Sequence, residues 1–303
     1  MDSFTYNIPG KWILAGEHAV LRGCEAIVFP LTSKYLNFSY IKSGSDFTLK
    51  LIGENSSDLE MIIWSVFEKA LTEIQVKRSD LSGELTIHSH IAFGAGMGAS
   101  ATLSVGIAEF FNRIGILKTN IFEFAKKIED LFHGESSGVD VAVALYQKPL
   151  LYQRGCPIQI LGSESKNFSD HLPKLYLSHC GVRGVTKDCV TKVKKMFETD
   201  SELAISIDIK MSDSVQLFKI LLSEVATESV KIDLLQWMKA IKMAQSCFES
   251  WGLVPVEAQK HIDFLKSSGA LACKMTGSGG GGYVLSLWNE QPSKELEKIL
   301  IKI

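Results

Sequence analysis

The 303-residue chain has almost no excess charge of either sign, with 32 lysines and arginines against 34 aspartates and glutamates and a net charge of −2. That balance leaves no electrostatic footprint for nucleic acid or for an anionic membrane surface. The chain also lacks any C-x-x-C pair; its six cysteines, Cys24, Cys156, Cys180, Cys189, Cys247 and Cys273, are scattered. Such spacing excludes a zinc ribbon or a disulfide framework and implies reduced, mostly buried thiols. No apolar run is long enough to span a bilayer, and Met1–Gly10 has no apolar signal core. The expectation is a soluble, cytoplasmic protein that binds neither nucleic acid nor membrane. A 46% hydrophobic content over this length supplies core enough for one large domain or two ordinary ones.

The densest signal is Phe93-Gly94-Ala95-Gly96-Met97-Gly98-Ala99-Ser100-Ala101-Thr102. Before it, Leu85, Ile87 and Ile91 alternate with Thr86, His88 and His90, the period of a half-buried strand. After it, Leu103, Val105, Ile107, Phe110 and Phe111 are spread at helical spacing. Three alternate glycines permit positive φ, so backbone N–H groups can converge on one point. The helix that follows adds its unpaired first-turn N–H groups and the positive end of its dipole. The stretch is therefore an anion cradle suited to nucleotide phosphates. It lacks the Lys-Ser/Thr ending of a Walker A loop. It does fit the loose dinucleotide pattern G-x-G-x-x-A, but Thr119–Phe132 follows as an amphipathic helix where that unit needs a strand.

Elsewhere, Ser3–Ile8 is expected as a strand ending in a Pro9-Gly10 turn. Lys11 follows, and then an apolar run closes on Gly16-Glu17-His18. Cys24–Leu31, Lys34–Tyr40 and Asp46–Ile52 are expected as a meander or hairpin set, with a turn at Lys42–Ser45. Asp58–Val76 is expected as a helix. His133-Gly134-Glu135-Ser136-Ser137-Gly138-Val139-Asp140 forms a polar turn before the apolar run Val141–Tyr146, with Asp140 a candidate helix cap. A domain junction is expected at Asn167–Pro173, dividing 1–170 from 171–303. Beyond it come a strand at Lys174–His179, the loop Gly181–Lys187 and a helix over Lys187–Phe197. Further helices are expected near Glu202–Lys210, Ser212–Glu228, Lys231–Trp251 and Val256–Ser267. The last landmark is Gly277–Gly282, five glycines in six residues between apolar strand sequences.

Together these pieces resemble the small-molecule kinases of the galactokinase, homoserine kinase, mevalonate kinase and phosphomevalonate kinase superfamily, over nearly the whole chain. Pro9-Gly10-Lys11 through Gly16-Glu17-His18-Ala19-Val20, Gly94–Ala101 and Gly277–Gly282 are similar to its three motifs. Gly16–Val20, His133–Asp140, Gly184–Lys187 and Lys274-Met275-Thr276-Gly277 look most like the mevalonate kinase branch. The resemblance implies an α+β, two-domain fold, with an N-terminal ribosomal-protein-S5-like domain and a C-terminal ferredoxin-like domain. It implies ATP and Mg²⁺ as cofactors, a small alcohol such as mevalonate as substrate, and admits a homodimer. By the same resemblance Gly94, Ala95, Gly96, Met97, Gly98, Ala99, Ser100 and Ala101 cradle ATP, while Ser100 and Glu129 hold Mg²⁺. Oxygen ligands of that kind suit a hard cation. Asp140 matches the family's catalytic base, with Lys11 beside it to stabilise charge on the attacking oxygen. Glu17, His18, Thr186 and Lys187 match the substrate pocket.

The chain departs from the family pattern at Ala99, where a second serine is usual, and at Glu135, Ser136 and Val141, where Asn, Pro and Asn are usual. Four other readings stand beside this one. A phosphomevalonate enzyme would need cations for its substrate phosphate, for which Arg22, Arg183 and Lys187 are candidates. The acceptor could also be another small alcohol, such as a sugar. A non-catalytic nucleotide-binding regulator would not need Lys11, Glu129 and Asp140. A zinc at His88 and His90 lacks third and fourth ligands nearby.

Overall fold

The computed structural model describes residues 3–53, 56–91, 94, 96–133, 136–162, 168–226 and 232–303. Ala95, Gly134, Glu135 and Asn167, named above, lie outside the described residues. The chain forms two compact units, one of Met1–Lys11, Pro30–Phe93 and Met97–Gln147, the other of Trp12–Phe29, Gly94–Gly96 and Lys148–Ile303. Strands β1 (Ser3–Ala15) and β2 (Ala26–Asp46) contribute residues to both.

The first unit holds β3 (Thr48–Ile52), α1 (Ser56–Glu73), β4 (Ser82–Ser89), α2 (Ala99–Arg113), α3 (Ile121–His133) and α4 (Val139–Tyr146). β4 lies between β2 and β3, antiparallel to β2 (Phe38 opposite Ile87) and parallel to β3 (Leu49 opposite Leu85). With β4 between them, β2 and β3 do not pair as the expected hairpin, and α1 supplies the crossover that the parallel β3–β4 pair needs. The Lys42–Ser45 turn is instead part of β2, a bulge at which pairing shifts register before resuming at Asp46 opposite Ser82. Gly83 accommodates that bulge, because a Cβ there would lie 2.4 Å from the Ile41 carbonyl oxygen.

The Pro9-Gly10 pair is likewise no turn but the interior of β1. A Cβ on Gly10 would stand 3.0 Å from the Met97 carbonyl oxygen, which instead accepts the Lys11 N–H at 2.9 Å. The glycine serves close backbone approach, and the backbone turns only after Ala15. Leu85 and Ile87 face a core of Phe38, Phe67, Phe110 and Phe111, all fully buried. Each such ring contributes about 1.5–3 kcal/mol by leaving water. Phe38 presses so close to α2 that a Cβ on Gly106 would overlap its ring at 1.9 Å. Helices α3 and α4 both pack against α2.

In the second unit, β5 (Leu150–Tyr152) pairs antiparallel with the start of β2, and β6 (Gln159–Ile160) pairs with β5. A second, antiparallel sheet has the order β10-β7-β9-β8, from β7 (Lys174–His179), β8 (Ala270–Met275), β9 (Tyr283–Trp288) and β10 (Ile301–Lys302). Its helices are α5 (Thr186–Thr199), α6 (Ser201–Ala226), α7 (Leu234–Ser250) and α8 (Val256–Ser267). The two expected helices, Glu202–Lys210 and the one starting at Ser212, are one over Ser201–Ala226; Glu228 and Lys231 lie outside the described residues. Ala204, Ile207, Met211, Val215, Phe218, Leu222 and Val225 continue a single buried stripe through the expected break. The Ser214 hydroxyl within that stretch donates to the Ala240 carbonyl on α7 at 2.9 Å. Asp233 does cap α7, accepting from the N–H groups of Leu235 and Gln236. Around the expected junction, Phe168–His171 forms a short 3-10 turn. No helix among the described residues is long and apolar enough to cross a membrane.

Candidate active site

In the first unit, three elements converge on Lys11. β1 delivers the side chain, and α4 brings Asp140 in its first turn, where the helix dipole favours a carboxylate. Gly138, at φ 88°, occupies the cap position, so Asp140 is not the cap. Lys11 Nζ lies 3.1 Å from Asp140 Oδ2; the lysine is 6% exposed and the aspartate 29%. Gly98 caps α2 at φ 75° and packs on the lysine, since a Cβ there would sit 2.8 Å from Lys11 Cγ. The bond from Lys11 N–H to the Met97 carbonyl ties the same corner. Thr102 Oγ1 donates to the Pro9 carbonyl at 3.1 Å and so pins α2 to β1.

Two residues beyond that cap, Ser100 Oγ donates to Glu129 Oε1 at 2.8 Å, and Ser104 Oγ donates to Glu129 Oε2 at 3.2 Å. Glu129 is only 2% exposed. A buried carboxylate and a hydroxyl at a helix N-terminus form a small hard-oxygen set, which suits Mg²⁺ shared with phosphates. Among the described residues no group of three or more His, Cys, Asp or Glu could hold a metal, so the His88–His90 zinc reading has no support. Ser104 went unremarked in the sequence because it reads as one polar position on an apolar helix. Asp130 is a second such residue. It accepts the Ser136 N–H at 2.7 Å and pairs with Lys126 at 3.0 Å, anchoring the chain just before Asp140. Burial acts to raise its pKa, but the Ser136 N–H and Lys126 outweigh it and hold the carboxyl below its ordinary value.

Of the other sequence-predicted residues, Met97, Ala99 and Ala101 are buried in the first unit, the last two in the first turn of α2, and the rest belong to the second unit. Gly94 and Gly96 have φ of 75° and 85°, as an anion cradle requires. Glu17 pairs with Lys274 on β8 at 2.5 Å, both essentially inaccessible to solvent. His18 follows at φ 56°, a costly conformation for a non-glycine residue. Its Nε2 lies 2.8 Å from the Ser278 carbonyl, which can only accept, so Nε2 carries the proton. Burial pushes the ring's pKa down to about 4, and the imidazole is neutral at pH 7. Nδ1 is then a buried acceptor with no protein partner among the described residues. Thr186 Oγ1 lies 3.2 Å from Ser278 Oγ, whereas Lys187 is exposed.

Of the cations considered for a substrate phosphate, Arg22 is held bidentately by Asp208 at 2.5 and 2.6 Å and stacks on Phe197. It is committed to structure. Arg183 reaches Gly94, with Nη1 3.8 Å from a Cβ built there. The Gly277–Gly282 loop supports the Arg183 turn: Gly282 N–H donates to the Val182 carbonyl and Cys180 N–H to the Gly282 carbonyl. A Cβ on Gly281 would stand 2.7 Å from the Val182 oxygen, so only glycine fits.

The GHMP kinases N terminal domain matches residues 62–148, and the GHMP kinases C terminal domain matches residues 232–302. The mevalonate kinase of Thermococcus onnurineus is 28% identical over 97% of this chain and 92% of its own length. Among solved structures, Methanococcus jannaschii mevalonate kinase superposes with a TM-score of 0.74 at 20% identity, over 99% of this chain and 96% of that one. L. major mevalonate kinase in complex with R-mevalonate gives a TM-score of 0.72 at 20% identity, over 98% of this chain and 89% of that one. The two structures share the fold, the curated relative covers nearly the whole chain, and both family domains occur in order. The chain is a member of the GHMP kinases, ATP-dependent kinases of small molecules with a two-domain α+β fold.

Proposed function

We propose that this kinase transfers the γ-phosphoryl group of ATP to the 5-hydroxyl of (R)-mevalonate, with Mg²⁺, in the cytoplasm. The observation that carries the reading is the Lys11–Asp140 pair at 3.1 Å, packed against the glycine that caps α2. Asp140 takes the proton of the attacking hydroxyl, and the Lys11 ammonium stabilises charge on that oxygen as it forms the new P–O bond. ADP leaves with the electrons of the broken P–O bond. The backbone amides at the start of α2 bind the phosphate chain, and their fixed dipoles suit the charge on the transferring group. Ser100 and Glu129 are the residues that would hold Mg²⁺, which neutralises phosphate charge when bound.

Glu17, His18, Thr186 and Lys187 are assigned to the acceptor. His18 is neutral at pH 7 and so brings no charge of its own to that assignment. Relatives named mevalonate kinase over nearly the whole chain support this acceptor. The capture of Arg22 by Asp208 removes one cation that a phosphomevalonate enzyme would need. Six free cysteines suit a reducing compartment. The test is a coupled ADP-release assay with mevalonate, phosphomevalonate, homoserine and galactose. Turnover with mevalonate at least tenfold above the others is expected; none above background ATPase would end the assignment.

A further inference from the structure

β8 carries a lysine in an otherwise apolar strand, Ala270–Met275, and that lysine is 0% exposed. Lys274 Nζ lies 2.5 Å from Glu17 Oε1 and 3.3 Å from the Ile13 carbonyl, with its charge 5.4 Å from the centre of the Phe248 ring. Thr276, two residues on, bonds both polar groups of Ile13, accepting its N–H at 3.0 Å and donating to its carbonyl at 2.9 Å. Ser278, two further on, takes His18 Nε2 on its carbonyl. The end of β8 and the turn after it therefore hold three residues of the earlier chain: Lys274 holds Glu17, Thr276 holds Ile13, and the Ser278 carbonyl holds His18.

A buried ion pair is a poor way to gain stability, because desolvation offsets most of the attraction and an apolar pair of similar size does as well. Its distinctive product is orientation, and here the carboxylate oriented is next to His18. We propose that Lys274 is a positioning residue for the acceptor: through Glu17 it fixes the Glu17–His18 corner and keeps that corner free of net charge, so that a carboxylate-bearing alcohol is accepted without repulsion. This rests on the assignment of Glu17 and His18 to substrate binding. Lys274 acts on the alcohol and leaves ATP alone.

The test is a double-mutant cycle in the full chain, using Glu17→Gln, Lys274→Met and the pair together. Lys274→Gln is made beside Lys274→Met so that a folded single variant carries the cycle. KM for the alcohol, KM for ATP, kcat and Tm are measured, with whichever alcohol the unmodified enzyme turns over. If that alcohol is not mevalonate, the acceptor assignment has failed while the cycle still runs. Lys274→Met is expected to raise the alcohol KM on the order of 10- to 100-fold, the usual cost of unpairing a buried charge at a binding site. The ATP KM should stay within about threefold. In the Glu17→Gln background the same substitution should add less than about twofold, because its effect passes through Glu17. An equal rise in both backgrounds overturns the proposal, as does a lowered Tm with an unchanged alcohol KM.

Discussion

Adding one methyl group to Gly98 tests whether the placement of Lys11 limits the reaction. The Cβ of Gly98→Ala would fall 2.8 Å from Lys11 Cγ, 3.2 Å from Cε and 3.6 Å from Cδ. Those atoms are the buried stem, with only 6% of the residue exposed, so the lysine has little room to retreat. The backbone there has φ of 75°, which costs an alanine about 1–2 kcal/mol. In a chain this long that is a fall in Tm of roughly 1.5–3 °C. Relief of the clash carries Nζ away from Asp140, now 3.1 Å distant. A misplacement of about 1 Å among reacting groups costs on the order of 100-fold in rate. The expected result in the coupled ADP-release assay is therefore a kcat lower by about 30- to 300-fold. The ATP KM should change by less than about threefold, because the Gly98 N–H survives the substitution. In an Asp140→Asn background, where the pair is already broken, Gly98→Ala should add less than about threefold. A kcat within twofold of the unmodified enzyme, with the Tm shift present, would refute the idea that Lys11 must sit where it does.

Asp140→Asn and Asp140→Ala should lower kcat by about 10²- to 10⁴-fold, the range for a general base, while calorimetric ATP affinity stays within about threefold. A nucleotide-binding regulator would lose nothing. Glu129→Gln and Ser100→Ala should each shift the Mg²⁺ concentration for half-maximal rate upward, by about tenfold for the glutamate; an unchanged Mg²⁺ titration counts against both as ligands. His18 makes acid stability measurable. Burial holds its folded pKa near 4 against 6.5 unfolded, so the unfolded chain binds the extra proton first as pH falls. Stability is unaffected above pH 6.5, falls between 6.5 and 4, and by pH 5 has lost about 2 kcal/mol relative to pH 7. Urea unfolding of His18→Asn should show a slope over that pH window flatter by this amount; an unaltered slope would mean the ring is not buried neutral.

How far the sequence revealed the site depended on whether each signal was local. The glycine loop was legible because its requirement is local: Gly94, Gly96 and Gly98 each need positive φ, and each has it. The helix after it was legible because Leu103 through Phe111 repeat at helical period. Pro9-Gly10 misled because the same dipeptide serves a turn or a tight approach, and only Met97, far along the chain, decides between them. The parallel placement of β3 on β4 was invisible for a related reason: alternation reveals which face of a strand is buried but not its neighbour. α6 is expected as two helices, yet its polar Ser214 stays inside one helix because its hydroxyl finds the Ala240 carbonyl on α7. Polar residues inside apolar elements are the general case. Ser104 and Lys274 each occupy a position where pattern demands an apolar residue, and each meets a carboxylate there, Glu129 and Glu17. A buried polar group without a partner costs too much to persist, so such a residue implies a partner the pattern does not name. Resemblance supplied Lys11 and Asp140 as a pair; nothing in the periodicity of β1 or α4 requires that they meet.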